Sequence, residues 1–195
     1  MRKSILKIFL ITVLLAITVL SFTSCALEDI VTPNDGVLTY QLSVDKDYYI
    51  VTGLYDVFDL NMAAEITIPA EFNGLPVKSI LYLAFYDCTN LTTVVIPDGV
   101  TVIGNWAFKD CYNLTNIDIP DSVTWIGNQA FLGCDSLTSI VIPDSVTSVG
   151  EWAFANCENL TIYCEAAGKP DKWDSDWNSD ELPVVWGYKD DTSGN

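Results

Sequence analysis

One 23-residue segment occurs three times in succession between Leu91 and Asn159, without any insertion or deletion. The copies are LTTVVIPDGVTVIGNWAFKDCYN, LTNIDIPDSVTWIGNQAFLGCDS and LTSIVIPDSVTSVGEWAFANCEN. A fixed period in the twenties is typical of solenoids, in which each unit stacks on its neighbours and buries its apolar face against them. The repeat therefore predicts a stack of coils in which equivalent residues form columns.

The first half of each copy predicts a strand with one buried face. In the first copy, Val94 and Ile96 are apolar residues two positions apart, and Val95 between them should point the other way. Leu91 opens the copy, and Pro97 ends the strand because proline has no N–H to donate to a ladder. The next residue in every copy is aspartate, so we expect a turn there.

The second half of each copy begins with a short strand, at 100–103 in the first copy, and continues to a recurring glycine at Gly104. We expect this glycine to have a positive φ, because the chain turns a tight corner there. An Ala-Phe pair follows at Ala107 and Phe108, which predicts a buried ring beside a close backbone contact. Cys111 completes the pattern.

These positions together resemble the BspA-type, or Treponema-type, leucine-rich repeat, whose pattern is LxxIxIPxxVxxIGxxAFxxC, and all three copies match nearly every fixed position. The resemblance implies a mainly β fold, namely a right-handed leucine-rich-repeat solenoid with parallel sheets, short helical turns and a cap at each end. It also implies a non-catalytic surface protein that adheres to host or microbial surfaces.

The segments on either side of the three copies complete the solenoid. Residues 64–90 form a degenerate coil, with an insertion around 74–76 and Leu81 at the glycine position, so four coils span 64–159. Residues 36–63 contain two strand-like stretches outside the repeat pattern. We interpret them as an N-terminal cap, because the end of a solenoid exposes apolar core unless something covers it.

The C-terminal segment begins a fifth coil and then leaves the repeat pattern. One deletion aligns LTIYC with LTSIVI and places Ile162 and Cys164 at inward positions. The rest of 160–188 contains three tryptophans and resembles the Trp-rich segment that often closes BspA-type arrays, so we interpret it as a C-terminal cap. Residues 189–195 are a polar tail.

The first 24 residues predict a lipoprotein signal peptide. MRKSILK carries three positive charges, and the thirteen uncharged residues that follow are short of the roughly 20 needed to span a bilayer. Small residues before Cys25 resemble a bacterial lipobox, in which that cysteine is acylated after cleavage, although Phe22 stands where the pattern prefers leucine. Ordinary cleavage after Ala26 is the alternative. We expect an exported protein, anchored in the membrane at the bacterial cell surface, with 25–35 as a tether.

The charge of the mature chain excludes one class of partner. Removal of the leader leaves six Lys plus Arg against 26 Asp plus Glu, a net charge of −20. Such an excess repels nucleic acids and anionic lipid surfaces. It favours solubility and cationic partners.

The sequence contains no recognisable pattern of catalytic or metal-binding residues. The chain has no histidine, which excludes Ser-His and Cys-His nucleophiles and His-ligated metals. The spacing singles out no pair of carboxylates for glycoside hydrolysis. The stretch 174–180 has the alternating oxygen ligands of a calcium loop, but serine replaces its sixth-position glycine and valine its final glutamate. We therefore expect no cofactor and no metal, and interpret 174–180 as an acidic turn.

The cysteines of the repeat lie one per coil at Cys88, Cys111, Cys134 and Cys157. Ligands in a straight column cannot surround a zinc ion tetrahedrally. Adjacent coils lie about 4.8 Å apart, within the Cα range of a disulfide, but parallel side chains keep their Cβ atoms beyond the usual ~3.8 Å. We interpret the column as a ladder of buried free thiols, with disulfides as the alternative.

Binding residues should occupy columns that the core does not determine. The outward positions of the first strand form one candidate face: Thr93, Val95, Asn116, Asp118, Ser139 and Val141. Tryptophans in variable columns form a second candidate, where recognition of a partner competes with packing between coils: Trp106, Trp125 and Trp152. The expected partner is an unknown protein or glycan at a cell surface, so a carbohydrate-binding or substrate-capture lipoprotein is one alternative. A structural envelope spacer is the other.

Overall fold

The structure, a computed structural model, describes residues 30–31, 38–54 and 64–189. The predicted signal peptide, Cys25 and most of the polar tail lie outside these residues. No helix in the described part of the chain is long and apolar enough to cross a membrane.

The described residues form parallel sheets in a β-solenoid of about five turns, as predicted from the repeat. The six strands up to and including the hairpin insertion are β1 (Ile30–Val31), β2 (Leu38–Leu42), β3 (Tyr49–Leu54), β4 (Glu65–Thr67), β5 (Glu71–Phe72) and β6 (Leu75–Ile80). The regular coils contain β7 (Thr93–Val95), β8 (Val102–Ile103), β9 (Asn116–Asp118), β10 (Trp125–Ile126), β11 (Ser139–Ile142) and β12 (Ser148–Val149). The C-terminal segment contains β13 (Thr161–Cys164) and β14 (Val184–Trp186).

Three sheets line the solenoid. The largest runs in the order β1-β2-β3-β6-β8-β10-β12, with β5 paired to β6, and the pairs from β3 to β12 along this order are parallel. The second wall consists of two three-stranded parallel sheets, β4-β7-β9 and β11-β13-β14. We call this second wall the strand wall.

The N-terminal segment extends the largest sheet. Strands β2 and β3 pair antiparallel, and β3 then pairs parallel with β6, the first strand of the repeat region on that side. Tyr40 and Val51 are buried, and the ring of Tyr40 stacks on Phe72 at 4.1 Å between centroids. The segment interpreted as a tether includes β1, which pairs with β2. Two of the tether residues therefore belong to the sheet.

The insertion in the degenerate coil forms a β-hairpin. Strands β5 and β6 pair antiparallel across Asn73 and Gly74, whose φ angles are 49° and 78°. Two consecutive positive φ angles are the signature of a type I′ turn, for which Asn-Gly is a favoured pair. The dipeptide itself would have predicted this hairpin.

The core consists of columns that follow the 23-residue period. Phe131 is fully buried and lies between Phe108 and Phe154, with ring centroids 5.4 and 5.5 Å apart and ring planes within 6° of parallel. Val94 and Ile96 are buried, whereas Val95 between them is 48% exposed. The predicted strand phase and the predicted stack of phenylalanines are both confirmed.

The recurring glycine has a different role from the predicted one. Gly104, Gly127 and Gly150 do not have positive φ, so that prediction is wrong. A Cβ on Gly127 would lie 2.5 Å from the backbone nitrogen of Asn105, and one on Gly104 would lie 2.6 Å from the backbone of Leu81. Real Cβ contacts are not this short. Glycine therefore recurs in this column because the preceding coil passes too close to leave room for a side chain.

The predicted short helical turns are also absent from the described residues, where the corresponding segments form consecutive β-turns. We call these segments, 81–90, 104–113, 127–136 and 150–159, the turn wall. Alternate amides in one coil donate to carbonyls of the next, from Trp106 to Asn128, Phe108 to Ala130 and Asp110 to Leu132, at 2.9, 2.8 and 2.7 Å. The amides between them donate within their own coil, from Ala107 to Gly104, Lys109 to Trp106 and Cys111 to Phe108.

This alternation explains why no helix forms. An α-helix directs its amides to carbonyls of the same segment and leaves none for the adjacent coil. Left-handed residues make the alternation possible, and they recur at two columns: Trp106, Gln129 and Trp152, and Asp110, Gly133 and Asn156.

The C-terminal segment covers the last coil with side chains that continue the ladders. Trp173 and Trp177 are buried, and Trp177 contacts Phe154 edge-on at 6.2 Å between centroids. The Trp173 indole N–H donates to the Val146 carbonyl at 3.0 Å, where a serine hydroxyl serves the corresponding carbonyls of earlier coils. A carboxylate oxygen of Asp180 accepts from the amide of Asn156. Ile162 and Cys164 are fully buried and pair with Ile140 and Ile142, as the one-deletion alignment predicts.

Candidate binding surfaces

The outward residues of the strand wall lie where the alternation places them. Asn116, Asp118 and Ser139 are exposed along with Val95, and Thr93 and Val141 are half-buried. Strand pairing aligns Thr93 with Asn116 and Val95 with Asp118. The predicted face is divided, however, because β9 ends one sheet and β11 begins the next.

The strand wall also contains polar residues that serve the fold. The hydroxyls of Thr92 and Thr115 donate to the backbone carbonyls of Ala64 and Thr92 at 2.7 and 3.0 Å. These threonines connect consecutive coils, so their recurrence does not indicate a ligand. The outward positions next to them, Thr93, Asn116 and Ser139, change from coil to coil.

The three tryptophans of the second candidate face do not lie together. Trp125 is in β10, between Val102 of β8 and Ser148 of β12, on the largest sheet. Trp106 and Trp152 lie on the turn wall, two coils apart. The three indoles therefore belong to two different walls.

The two turn-wall tryptophans differ in their surroundings. Trp106 is half-buried and packs against Tyr82, with 5.8 Å between ring centroids, and its buried indole nitrogen has no hydrogen-bond partner. Trp152 is 42% exposed. Packing between coils thus accounts for much of the burial of the Trp106 side chain, whereas the indole of Trp152 is accessible.

The structure adds three tyrosines to the turn wall that sequence reasoning did not select. Tyr82, Tyr86 and Tyr112 are 49%, 46% and 43% exposed. With Trp152, they are four of the seven most exposed large apolar side chains in the described chain. The signal was present in the sequence, because all three stand at non-core positions of the repeat: Tyr82 two residues before an Ala-Phe pair, Tyr86 directly after it, and Tyr112 directly after a cysteine.

The charges of the turn wall are mostly negative. Its four segments contain five carboxylates and one basic residue, Lys109. The negative charges of Asp110 above all, and of Asp87 and Asp135, raise the pKa of the Tyr112 phenol. The ammonium of Lys109 lies over the ring of Tyr86, 5.8 Å from its centroid. This wall therefore combines aromatic faces with a negative potential.

The cysteine column is buried and its thiols are free, as predicted. Cys111, Cys134 and Cys157 each donate to the carbonyl of the phenylalanine in the preceding coil, at 3.1, 3.3 and 3.1 Å. Burial raises the pKa of Cys88 to about 11, with a contribution from Asp87, and burial raises the pKa of Cys164 to about 12. The buried thiols of the column bond backbone carbonyls, so they serve the fold.

The acidic stretch at 174–180 is used by the C-terminal cap itself. An Asp174 side-chain oxygen accepts from the amide of Asp176 at 2.8 Å, and the Asn178 side chain bonds the backbone of Leu182. The described part of the chain contains no group of three potential metal ligands.

The chain matches a family of repeat proteins. The model of the BspA-type leucine-rich repeat region matches residues 56–165 with six copies. The match begins within the segment that we assigned to the N-terminal cap and extends into the fifth coil. Families of leucine-rich repeats generally supply protein-binding modules rather than enzymes.

Solved structures of bacterial leucine-rich-repeat proteins share the fold. A leucine-rich repeat protein of T. pallidum is 29% identical, with a TM-score of 0.62, and the match covers 80% of this chain and 64% of that one. One from Bacteroides capillosus is 30% identical, with a TM-score of 0.59, and the match covers 70% of this chain and 98% of that one. One from Bacteroides ovatus is 29% identical, with a TM-score of 0.56 and coverages of 77% and 36%. The chain thus spans less than two thirds of two of these proteins. No curated protein matches it.

Proposed function

Because this chain belongs to the family of BspA-type leucine-rich-repeat proteins, we propose that it is an exported, lipid-anchored surface protein that binds a partner protein in adhesion. The observation that carries the proposal is the exposed set of outward positions on the strand wall. These side chains change from coil to coil while the buried columns stay constant. The fold does not require this variation, and repeat solenoids present such extended faces to partners.

The proposed anchor rests on the N-terminal sequence. Positive charges, a short apolar run and small residues before Cys25 support cleavage and acylation at that cysteine. Mass spectrometry of the native N-terminus tests this. An acylated chain beginning at Cys25 is the expected result, and an unmodified chain beginning at Leu27 would refute the anchor.

The binding face is tested with two double variants. A partner captured by pull-down from host-surface or microbial-surface extracts is first purified, and its affinity for each variant is then measured. Asn116→Ala with Asp118→Lys changes only the strand wall, and Trp106→Ala with Trp152→Ala changes only the turn wall. We expect the strand-wall variant to weaken binding by more than tenfold. If both variants remain folded and bind normally, neither wall is the site.

A second candidate function is recognition of a glycan by the exposed aromatic side chains of the turn wall. Aromatic anchors often dominate the energy of interfaces, so loss of Trp152 should then cost more than about 1 kcal/mol in binding. A glycan array separates the two candidates, because only glycan recognition gives ligand-specific signals that free sugar inhibits.

A further inference from the structure

The turn wall is the most aromatic exposed surface of the described chain, and the proposed adhesion does not account for it. Tyr82, Tyr86, Tyr112 and Trp152 leave 42–49% of their surface in contact with solvent. Large apolar side chains exposed together on one wall mark an interaction surface more often than scattered single residues do. Tyrosine and tryptophan are also enriched among the residues that dominate interface energies.

The wall is rigid enough to act as a platform. Amides in every second position donate to the next coil, as the 2.8 Å bond from Phe131 to Ala153 illustrates. Asp110 and Asn156 stand in left-handed conformations beside these ladders, and Gly133 occupies the equivalent position between them. The aromatic side chains are therefore attached to a backbone whose geometry repeats from coil to coil.

The charge around the aromatic side chains indicates what kind of partner fits. Asp87 and Asp110 occupy one column, two positions before the column of Tyr112, and Asp135 lies in the column of Tyr112 itself, one coil further on. Their negative charges raise the pKa of the Tyr112 phenol. An aromatic face attracts a cation through its quadrupole, and carboxylates beside the face add ordinary attraction. The same arrangement repels phosphate, sulfate and acidic sugars.

The molecule already shows one such contact within the wall. Lys109, the only basic residue of the four segments, places its ammonium 5.8 Å from the centroid of the Tyr86 ring. The ring of Tyr112 is 43% exposed, Asp110 stands two residues before it, and Asp135 takes its column in the next coil. The wall thus offers a second aromatic face to an incoming cation.

We propose that the turn wall binds an arginine- or lysine-rich segment of a partner protein, with Tyr112 and the carboxylates of Asp87, Asp110 and Asp135 as its centre. The guanidinium of arginine fits best, because it stacks on an aromatic ring and bonds carboxylates with its planar fork at the same time. This inference rests on the proposed protein-binding function and gives it a partner chemistry and a second wall.

The test uses hexa-arginine as the probe and hexa-glutamine as its neutral counterpart, at 150 mM salt, with the mature chain. The first variant changes Asp87, Asp110 and Asp135 to asparagine. Asparagine tolerates the left-handed backbone at positions 87 and 110, so the fold is preserved. The matched control changes Asp98, Asp121 and Asp144 to asparagine, which removes the same number of carboxylates, one per coil, from the exposed turns after the strand wall.

We expect the turn-wall variant to lose at least tenfold in affinity for hexa-arginine, and the control variant less than about threefold. Tyr112→Leu, which keeps apolar volume but removes the ring, should lose about threefold, a loss that persists at higher salt. Hexa-glutamine should not bind. Variants are compared only where their urea unfolding curves match that of the parent.

Four results would overturn the inference. Equal losses in the two triple variants would mean that hexa-arginine responds to the overall charge of −20 and not to this wall. No binding of hexa-arginine at 150 mM salt would exclude the site, as would a glycan array signal that Tyr112→Leu abolishes. A purified partner that depends on Asn116 and Asp118 but not on the turn wall would refute this inference and leave the proposed adhesion standing.

Discussion

The strand wall and the turn wall contain the same coils, but they connect those coils in different ways. In the strand wall, parallel pairing aligns residues such as Val94 with Ile117, and side chains alternate between core and solvent. In the turn wall, alternate amides reach the next coil and left-handed residues recur at fixed columns. Coil-to-coil hydrogen bonding therefore does not require regular secondary structure; it requires a repeat that presents the same donors and acceptors in every coil.

The two walls also differ in what they expose. The strand wall exposes mainly hydroxyl, amide and aliphatic side chains, such as Asn116, Ser139 and Val95. The turn wall exposes tyrosine, tryptophan and carboxylates. Side chains such as those of Thr92 and Thr115 also connect coils, but the backbone makes the recurring coil-to-coil bonds in both walls. The other outward side chains are therefore available for recognition, and the two walls suit different partners.

The largest expected effect tests the core that both walls share. Phe131→Ala removes the middle ring of the stack and should cost roughly 3–5 kcal/mol of unfolding free energy, as other buried phenylalanine truncations do. Val141→Ala, on the half-buried outward side of the strand wall, should cost less than about 1 kcal/mol. Urea unfolding measures both. Comparable losses would mean that the assigned strand phase is off by one residue.

The next effect separates close approach from backbone conformation at the corner glycine. Gly127→Ala forces a Cβ into the backbone of the preceding coil and should cost about 1–3 kcal/mol, as overpacking does. Gly127→Asn should cost at least as much, whereas asparagine would be tolerated if a positive φ were the reason for glycine. Gly168→Ala is the control, because a Cβ there meets nothing within 4 Å. A neutral Gly127→Ala would contradict the close approach of the coils.

A smaller effect concerns pH and the buried thiols. Burial raises the pKa of Cys88 from 9.0 to about 11 and that of Cys164 to about 12, so the folded state favours the neutral thiol. The stabilisation is complete below the unfolded value and is lost as the pH rises through the folded values. The unfolding free energy should therefore fall between pH 9 and 12, and less steeply in Cys88→Ala with Cys164→Ala. Identical slopes would refute the contribution of the thiols.

Thiol titration at pH 8 complements the pH series. The described cysteines should react slowly in the folded chain and fully after denaturation, without a reductant. A denatured sample without titratable thiols would show that the column forms disulfides in the native protein.

Much of this fold follows from the sequence because its period is fixed. Equivalent residues such as Phe108, Phe131 and Phe154 must lie in one column if the coils stack, so burial and ring stacking are predictable from the repeat alone. The alternation around Val95 likewise predicts which side chains leave the core. The identity of the partner is not predictable in this way, because outward positions carry no constraint from packing.

The predictions from sequence that the structure contradicts have a common physical origin. The sequence suggests conformational freedom as the reason for glycine at Gly127, whereas the actual constraint is the distance to another coil. The left-handed conformations fall on Trp106 and Gln129, residues for which a positive φ is uncommon and which carry no local signal of it. The resemblance to the repeat family implies short helical turns, but the amide of Phe108 bonds the next coil instead. Contacts between coils override local preference at each of these positions.

Amide hydrogen exchange of the native protein tests most directly whether the turn wall is as firmly held as the strand wall. Phe131 donates to Ala153 on the turn wall at 2.8 Å, and Thr115 donates to Thr92 on the strand wall at 2.9 Å. If both bonds break only when coils separate, their opening free energies should agree within about 1.4 kcal/mol, a factor of ten in protection. Phe131 exchanging as fast as an exposed loop amide, with Thr115 still protected, would contradict the rigid turn wall.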